Sequence, residues 1–167
     1  MKEVNIEQMI YLWNGGAMCV VLKEKGTNRR IRICFGQSEA IAIVTGLENW
    51  RAPRPMPHDL LAKSIEELGG TIKHVLMTEL REEEQTFYST VGVQSNGSTH
   101  EIDARPSDSL ALAARQKVPI FAEESLLKWA ETQESSKLKP YSILWPLQNG
   151  GSLKSKRSTK KKAKNKA

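Results

Sequence analysis

The sequence predicts an α+β fold, a single domain with a mostly antiparallel or mixed sheet of about six strands and three to four helices. Three observations predict it. Strand-like segments come in consecutive pairs joined by polar turns, which is typical of antiparallel sheets. Segments with apolar residues at helical spacing lie between and after these pairs. The 167 residues are one domain's worth, enough to bury a core without disulfides or metals.

Three strands are predicted at the N-terminus. Residues 3–12 are apolar at roughly every second position, with a shift partway along, and predict a strand with an irregularity. A turn is expected at residues 14–16, which read Asn-Gly-Gly. Two further strands, at 17–22 and 31–35, are joined by the polar turn 23–30. We therefore expect the chain to begin with an antiparallel three-stranded unit.

A helix is predicted next, with Ser38 as its N-cap and Glu39 in its first turn. Glu39 either complements the helix dipole there or belongs to a functional site. Gly46 weakens this helix by ~1 kcal/mol relative to Ala, but it permits another element to approach closely. The apolar positions of the helix are Ile41, Ile43, Val44 and Leu47.

Residues 51–57 contain three prolines and predict an extended connector, because proline lacks a backbone donor and fixes φ. Pro57 suits the first position of a second helix, which ends at Gly69-Gly70. His58 and Asp59 then lie in its first turn. Asp59 is either a dipole partner or a site residue, and His58 is either a surface residue or a site residue. The apolar positions of this helix are Leu60, Leu61, Ile65 and Leu68.

A second antiparallel unit is predicted after this helix. Residues 71–80 and 86–94 form a strand pair joined by an acidic turn. The residues Ser-Asn-Gly-Ser at 95–98 predict a tight hairpin into a third strand, which ends at Asp103. His74 alternates with apolar residues in the first of these strands. A histidine in that pattern is more often a core residue with its hydrogen bonds satisfied than a ligand.

Two more helices complete the predicted domain. The first begins in the segment Asp103–Asp108 and runs to Arg115, and the second covers residues 123–132. A short extended piece at 119–121 separates them. Residues 141–147 form a small apolar cluster, which we expect to dock on the body of the domain or on a partner.

The net charge of +6 comes from the C-terminus. Residues 150–167 hold eight Lys or Arg residues and no acid, so the remainder of the chain carries 17 basic and 19 acidic groups. The sequence therefore divides into a domain at 1–132, an extension at 133–149 and a Lys-rich tail at 150–167, disordered by composition. The tail either adds salt-sensitive affinity for nucleic acid or only solubilises the chain.

Composition and motifs exclude several classes of protein. No run approaches 18 apolar residues and the N-terminus has no signal-peptide core, so we expect no membrane span and a cytoplasmic location. Cys19 and Cys34 are too few for a disulfide framework and lack the spacing of a zinc site, so we expect both to be reduced core residues of strands. The GxGxxG, P-loop, nucleophile-elbow and HExxH motifs are absent.

The segment Asp103–Asp108 is the most chemically dense part of the chain. Its carboxylates, with Glu39, are of the type that holds Mg²⁺ or Mn²⁺, ions that promote phosphodiester cleavage by activating water. A structural alternative pairs Asp103 with Arg105 and leaves Asp108 to complement the helix dipole. A third alternative is a phosphate cradle made by the helix start and Arg105, which the charge of Asp108 opposes.

Four motifs follow one another along the chain: Gly36–Ala40, Arg54–Leu61, Thr86–Tyr88 and Ile102–Ala113. In this order and spacing they make residues 5–130 resemble the bifunctional nuclease (DNase-RNase) domain family. The resemblance implies an α+β fold, a tendency to dimerise and nuclease activity on DNA and RNA, without settled catalytic residues to carry over. Pro57 departs from the family pattern, which usually has threonine there; since proline has no hydroxyl to cap the helix, Asp59 is expected to satisfy more of its donors.

The leading hypothesis is a cytoplasmic, homodimeric nuclease of DNA and RNA that depends on Mg²⁺ or Mn²⁺. In it, His58 acts as general acid or base. The alternative is a non-enzymatic, dimeric binding or regulatory module, in which only the basic tail meets nucleic acid. The predicted catalytic residues are Glu39, His58, Asp59, Asp103 and Asp108; the predicted metal ligands are Asp103, Asp108 and Glu39, and the predicted phosphate-binding residues are Arg54, Arg105 and Ser107.

Overall fold

The computed structural model describes residues 1–12, 17–133 and 142–146, which form eight strands and four helices. The predicted α+β fold is confirmed. The helices are α1 (Gln37–Leu47), α2 (Pro57–Glu67), α3 (Pro106–Gln116) and α4 (Glu124–Gln133). The strands are β1 (Lys2–Leu12), β2 (Ala17–Glu24), β3 (Arg30–Phe35), β4 (Thr71–Arg81), β5 (Thr86–Ser95), β6 (Ser98–Ala104), β7 (Ile120–Ala122) and β8 (Ser142–Pro146).

The strands form one mixed sheet in the order β3-β2-β1-β7-β4-β5-β6, with β8 beside β1. β7 runs parallel to β4, and the other pairs within the described residues are antiparallel. β7 pairs with Lys2–Val4 of β1 and β8 pairs with Gln8–Leu12. A register shift between Ile6 and Gln8 separates these two stretches. It confirms the irregularity predicted in the first strand.

The core lies between the sheet and the helices. α3 packs on α1 and on β4 and β5, while α4 contacts β3 and β4. One connected set of buried apolar side chains joins these elements, so the two antiparallel units share a single core. The largest fully buried side chains are Met9, Leu22, Ile31, Ile43, Met77, Leu110, Leu112 and Leu127.

Turn chemistry explains the hairpin between β5 and β6. Asn96 and Gly97 occupy its two central positions, with φ of 51° and 78°. Two successive positive φ angles match the right-handed twist of the flanking strands, and Asn-Gly tolerates them best. This predicted turn is therefore confirmed, whereas the turn predicted at 14–16 lies outside the described residues.

The prediction that Ser38 caps α1 is wrong. The helix begins one residue earlier, at Gln37, and the cap position is held by Gly36 with extended backbone and no side-chain hydrogen bond. Ser38 is an exposed residue of the first turn. The close approach predicted at Gly46 is confirmed: a Cβ atom there would lie 2.9 Å from Cβ of Ala114 and 3.0 Å from Nη1 of Arg115.

α2 begins at Pro57 as predicted and ends before Gly69, whose φ of +80° closes the helix. Its apolar positions are mostly not in the core. Leu60, Leu61 and Leu68 are 61%, 45% and 85% exposed. This helix therefore presents apolar side chains to solvent.

The expectation of reduced core cysteines is wrong. Cys19 and Cys34 form a disulfide, and only Cys19 is buried. The reason is register, because the two residues are direct partners on β2 and β3. Fifteen positions apart in the sequence, they are brought together by the hairpin that the sequence did predict.

His74 is not the core histidine that the sequence favoured. It lies opposite Gly92, which in turn pairs with Glu101. The His74 ring lies where a Cβ atom of residue 92 would be, and Nε2 reaches Oε1 of Glu101 at 2.8 Å. Gly92 therefore allows a half-buried contact between His74 and Glu101 to form across the middle strand.

The apolar cluster predicted to dock is represented by β8, which pairs with β1 and so contacts the body of the domain. The Lys-rich tail lies outside the described residues, and the division at 132 and 149 stays a prediction. In the described ranges no helix is both long and apolar enough to cross a membrane.

Candidate functional site

α2 and α3 begin next to each other, and both have proline at their first helical position. Proline suits that position because its fixed φ is already helical and its missing donor would have no intrahelical partner. The side chains that follow then meet: Nε2 of His58 lies 3.2 Å from Oδ1 of Asp108. Both are sheltered, with side chains 16% and 29% exposed.

Arg105 holds the other side of the Asp108 carboxylate. Its Nε donates to Oδ2 at 2.7 Å and its Nη2 donates to Oδ1 at 3.1 Å. Burial alone would raise the pKa of Asp108, but the hydrogen bonds from Arg105 and His58 outweigh it, and the pKa lies below its usual value. Asp108 is thus an anion at neutral pH, while the Arg105 side chain stays 68% exposed.

Glu39, in the first turn of α1, completes the group. Its Oε1 lies 3.8 Å from Nη1 of Arg105. Glu39, His58, Arg105 and Asp108 therefore come together where α1, α2 and α3 begin, and we call them the helix-start cluster. Two carboxylates, one guanidinium and one imidazole meet there; the imidazole is able to move a proton, and the exposed guanidinium is able to donate to an anion.

Asp59 is next to His58 in sequence but is directed elsewhere. Its Oδ2 accepts a hydrogen bond from the backbone N of Met56 at 2.9 Å, and its Oδ1 accepts one from Nε of Arg115 at 2.9 Å. The first bond confirms that Asp59 satisfies a donor at a helix start where Pro57 has no hydroxyl. Both oxygens thus have a structural partner.

Arg115 is the residue that sequence reasoning missed. Besides Asp59, it donates to the carbonyl oxygen of Ala42 at 2.5 Å and to the hydroxyl of Thr45 at 3.1 Å. Its side chain is only 7% exposed. In the sequence it was named only as the last residue of a predicted helix, and its partners are 56 to 73 positions away.

Asp103 is not brought to the cluster. In the register of β5 and β6, Ser89 pairs with Ala104, and the Ser89 hydroxyl contacts the hydroxyl of Ser109 in α3 at 2.7 Å. The next pair is Thr90 with Asp103. Because successive side chains of a strand point to opposite faces, this pair points away from α3. Asp103 is therefore exposed on the face of the sheet remote from α3.

The two other predicted phosphate ligands differ in accessibility. Ser107 is 6% exposed, in the first turn of α3, so its hydroxyl is not offered to a ligand at the surface. Arg54 is exposed in the connector before α2. Of the three predicted phosphate-binding residues, Arg105 is the one that belongs to the helix-start cluster.

The predicted Mg²⁺ or Mn²⁺ site does not fit this geometry. Asp103 faces away, and the carboxylate of Asp108 is already held by Arg105 and His58. Across residues 1–12, 17–133 and 142–146, no three His, Cys, Asp or Glu side chains form a group that could hold a metal ion.

Comparisons with a family model and with individual proteins point to the same family. Residues 20–135 match the family model described as the bifunctional nuclease domain, a stretch that contains the whole helix-start cluster. The chain is 40% identical over 111 residues to an uncharacterized protein of Mycobacterium tuberculosis, covering 66% of this chain and 65% of that protein.

Plant relatives carry a functional name. Identity is 30% over 105 residues to bifunctional nuclease 1 of Oryza sativa subsp. japonica and 29% over 111 residues to bifunctional nuclease 1 of Arabidopsis thaliana. The matches cover 60% and 64% of this chain but only 31% and 34% of those proteins. The chain thus spans about two thirds of the mycobacterial relative and about one third of the plant ones.

Proposed function

Because this chain belongs to the bifunctional nuclease domain family, we propose that it is a nuclease that hydrolyses phosphodiester bonds in DNA and RNA. The observation that carries the proposal is the contact of His58 with Asp108, with Arg105 on the same carboxylate and exposed to solvent. In this contact a side chain able to carry a proton lies beside a guanidinium able to hold a phosphate, which supports the proposal. The relatives named as nucleases add support from outside the structure.

His58 is the general acid or base in this proposal. The ionised Asp108 only accepts hydrogen bonds, so the Nε2 atom of His58 carries the hydrogen in their contact. Nδ1 is then the nitrogen that exchanges a proton with the substrate. Asp108 fixes the tautomer, and Nδ1 takes a proton from the attacking water. The water oxygen bonds to phosphorus as the bond to the leaving oxygen breaks, and the leaving oxygen takes a proton from solvent.

Arg105 holds the scissile phosphate. Two of its five N–H groups are used by Asp108, and Glu39 lies at 3.8 Å from Nη1, too long for a hydrogen bond. The remaining N–H groups make no hydrogen bond to the described residues, and the side chain is 68% exposed, so a phosphate oxygen can accept from them. Positive charge at this point stabilises the charge that develops on phosphorus-bound oxygens in the transition state.

The decisive experiment follows cleavage of labelled single-stranded DNA and RNA by the full chain, in Mg²⁺, in Mn²⁺ and in EDTA. His58→Asn and Asp108→Asn are expected to lower the rate about 100-fold or more, as for loss of a general acid or base. The exposed turn variant Glu82→Gln is the control. Unchanged cleavage by His58→Asn would overturn the assignment of the site.

The same experiment decides between this site and the predicted metal site. Asp103→Asn is expected to retain activity, because Asp103 lies on the other face of the sheet. Loss of activity in Asp103→Asn, together with loss in EDTA, would instead support an ion held through Asp103. No step of the proposed reaction uses a metal ion, because the described carboxylates do not form a group that could hold one.

We further propose that the chain forms a homodimer through α2. Leu61 and Leu68 are seven positions apart and so lie on one side of the helix, with Leu60 beside them. Exposed apolar side chains grouped in this way are typical of a protein interface. Leu61→Glu with Leu68→Glu is expected to convert a dimer to a monomer in analytical ultracentrifugation, and a monomeric wild-type chain would refute the proposal.

A non-enzymatic binding module is the second candidate, favoured by one observation. Both oxygens of Asp59 and both oxygens of Asp108 already have partners within the protein. In this candidate the polar groups only hold the helix starts together, and the Lys-rich tail supplies affinity for nucleic acid. It predicts binding that disappears when residues 150–167 are removed and no cleavage under any of the ionic conditions above.

The cytoplasmic location stays a prediction from the sequence. The Cys19–Cys34 disulfide opposes it, because disulfides are rare where glutathione keeps thiols reduced. Thiol alkylation of the chain directly on cell lysis distinguishes a cytoplasmic location from an oxidising compartment. Alkylation of both cysteines supports the cytoplasm, and alkylation of neither cysteine supports an oxidising compartment.

A further inference from the structure

A second concave site lies beside the helix-start cluster. It is a cavity of about 380 Å³ between the end of α1, the connector and α2. The Asp59–Arg115 pair lies at its wall, and its rim includes Trp50, Arg51 and Lys63. A volume in this range is typical of small-ligand sites.

Trp50 is the unusual member of this cavity. It is 54% exposed, although a large aromatic side chain is usually buried. Its backbone is nevertheless fixed: N of Asn49 donates to O of Gly46 at 3.1 Å and N of Trp50 donates to O of Thr45 at 2.9 Å, which closes the end of α1. A rigid backbone thus presents an exposed indole to the cavity.

The lining of the cavity offers one cation to an anionic ligand. Asp59 is neutralised by Arg115, and Lys63 is paired with Glu67 at 2.8 Å and with Glu66 at 3.2 Å. Arg51 is the remaining lining cation and is exposed at the rim. The lining side chains therefore carry one positive charge in excess, next to an aromatic surface.

The position of the cavity relates it to the helix-start cluster. Asp108 and Arg115 are seven residues apart on α3, so they lie on one side of the helix about 10 Å apart. Their partners His58 and Asp59 are consecutive at the start of α2.

We propose that this cavity binds a base of a single-stranded nucleic acid, stacked on Trp50, with Arg51 at a neighbouring phosphate. The same strand then reaches the helix-start cluster, because His58 and Asp59, one at each site, are consecutive residues. The inference rests on the proposed nuclease function for the class of its ligand. Stacking on an indole is tolerant of sequence, which suits an enzyme that accepts both DNA and RNA.

The test compares variants of the full chain on a single-stranded oligonucleotide, in about 0.2 M salt to weaken binding by the tail. Trp50→Ala is expected to raise KM about 10-fold, with kcat changed less than about twofold, because stacking of one base on an aromatic ring contributes about that factor or more. Trp50→Phe keeps the stacking surface and is expected to restore most of the affinity. Arg51→Gln raises KM, whereas Arg32→Gln, an exposed arginine on β3, does not.

An abasic nucleotide moved along the oligonucleotide identifies the stacked base. At one position of the abasic nucleotide, the wild-type chain is expected to lose as much affinity as Trp50→Ala does, and the two losses are not additive. An unchanged KM in Trp50→Ala, or losses that add at every position, would overturn the inference.

Binding measured by anisotropy of the labelled oligonucleotide separates this inference from the proposed function. Affinity that depends on Trp50 without any cleavage would leave the subsite standing and refute the nuclease. Cleavage with the same KM and the same affinity in Trp50→Ala would refute the subsite and leave the nuclease standing.

Discussion

Arg115, near the end of α3, donates from Nε to Oδ1 of Asp59 at the start of α2, over 2.9 Å. The same guanidinium donates to the carbonyl of Ala42 and the hydroxyl of Thr45 in α1. One side chain therefore fixes the mutual positions of the three helices whose first turns form the helix-start cluster. The geometry of the cluster depends on a residue that does not belong to it.

Replacing Arg115 by Leu is expected to lower the free energy of unfolding by about 3 kcal/mol, because it leaves the polar partners of a buried guanidinium without a donor. Urea denaturation measures the loss. Arg32→Leu removes an exposed arginine and is the matched control. Equal midpoints for the two variants would show that Arg115 does not stabilise the helix junction.

Gly46→Ala tests the close approach of α1 and α3. Alanine would normally strengthen a helix by about 1 kcal/mol relative to glycine. Here its methyl group would lie 2.9 Å from Cβ of Ala114 and 3.0 Å from Nη1 of Arg115, so the helices must separate. We expect a net destabilisation of about 1–3 kcal/mol in urea denaturation.

The control for Gly46→Ala is Ser38→Ala, at an exposed position of the same helix, which is expected to change stability by less than about 0.5 kcal/mol. A stabilised Gly46→Ala variant would mean that the intrinsic helix preference outweighs the contact with α3.

Sequence reasoning succeeded where the physical cause is local. Three prolines define the connector before α2, Asn96-Gly97 supplies the positive φ angles of its hairpin, and Gly46 was recognised as a point of close approach. It also identified Glu39, His58, Arg105 and Asp108 as site candidates, because polar side chains at helix starts can be read from sequence.

Sequence reasoning failed where strand register, or contacts between residues far apart in the chain, determine where a side chain lies. Asp103 and Asp108 are five positions apart, but alternation along β6 turns Asp103 to the opposite face from α3. The Cys19–Cys34 bond follows from strand register, and the role of Arg115 follows from the packing of α1 on α3. None of these can be derived from spacing along the chain.

Glu24 is expected to make the stability depend on acid pH. Hydrogen bonds from Arg29, and from Thr27, lower the pKa of Glu24 to about 2 from a usual value of 4.5. A lowered pKa in the folded state means that the stabilisation is fully present above pH 4.5 and is lost as the pH falls towards 2. Thermal melts of the wild-type chain should therefore show a melting temperature that falls across this window.

Glu24→Gln should melt at a lower temperature than the wild type at pH 7 and depend less on pH between 4.5 and 2. Glu82→Gln, in the exposed acidic turn, is expected to reproduce the wild-type curve. If Glu24→Gln has the same acid dependence as the wild type, other carboxylates cause the loss of stability.

Reduction of the Cys19–Cys34 disulfide is expected to lower the free energy of unfolding by about 3 kcal/mol, the loop-closure contribution of a cross-link over 15 residues. Urea denaturation with and without dithiothreitol measures it. Cys34→Ser has no cross-link to lose and should unfold at the same midpoint in both conditions, close to that of the reduced wild type. If the wild-type midpoint does not respond to dithiothreitol, although alkylation confirms that both thiols are free, the disulfide makes no net contribution to the free energy of unfolding.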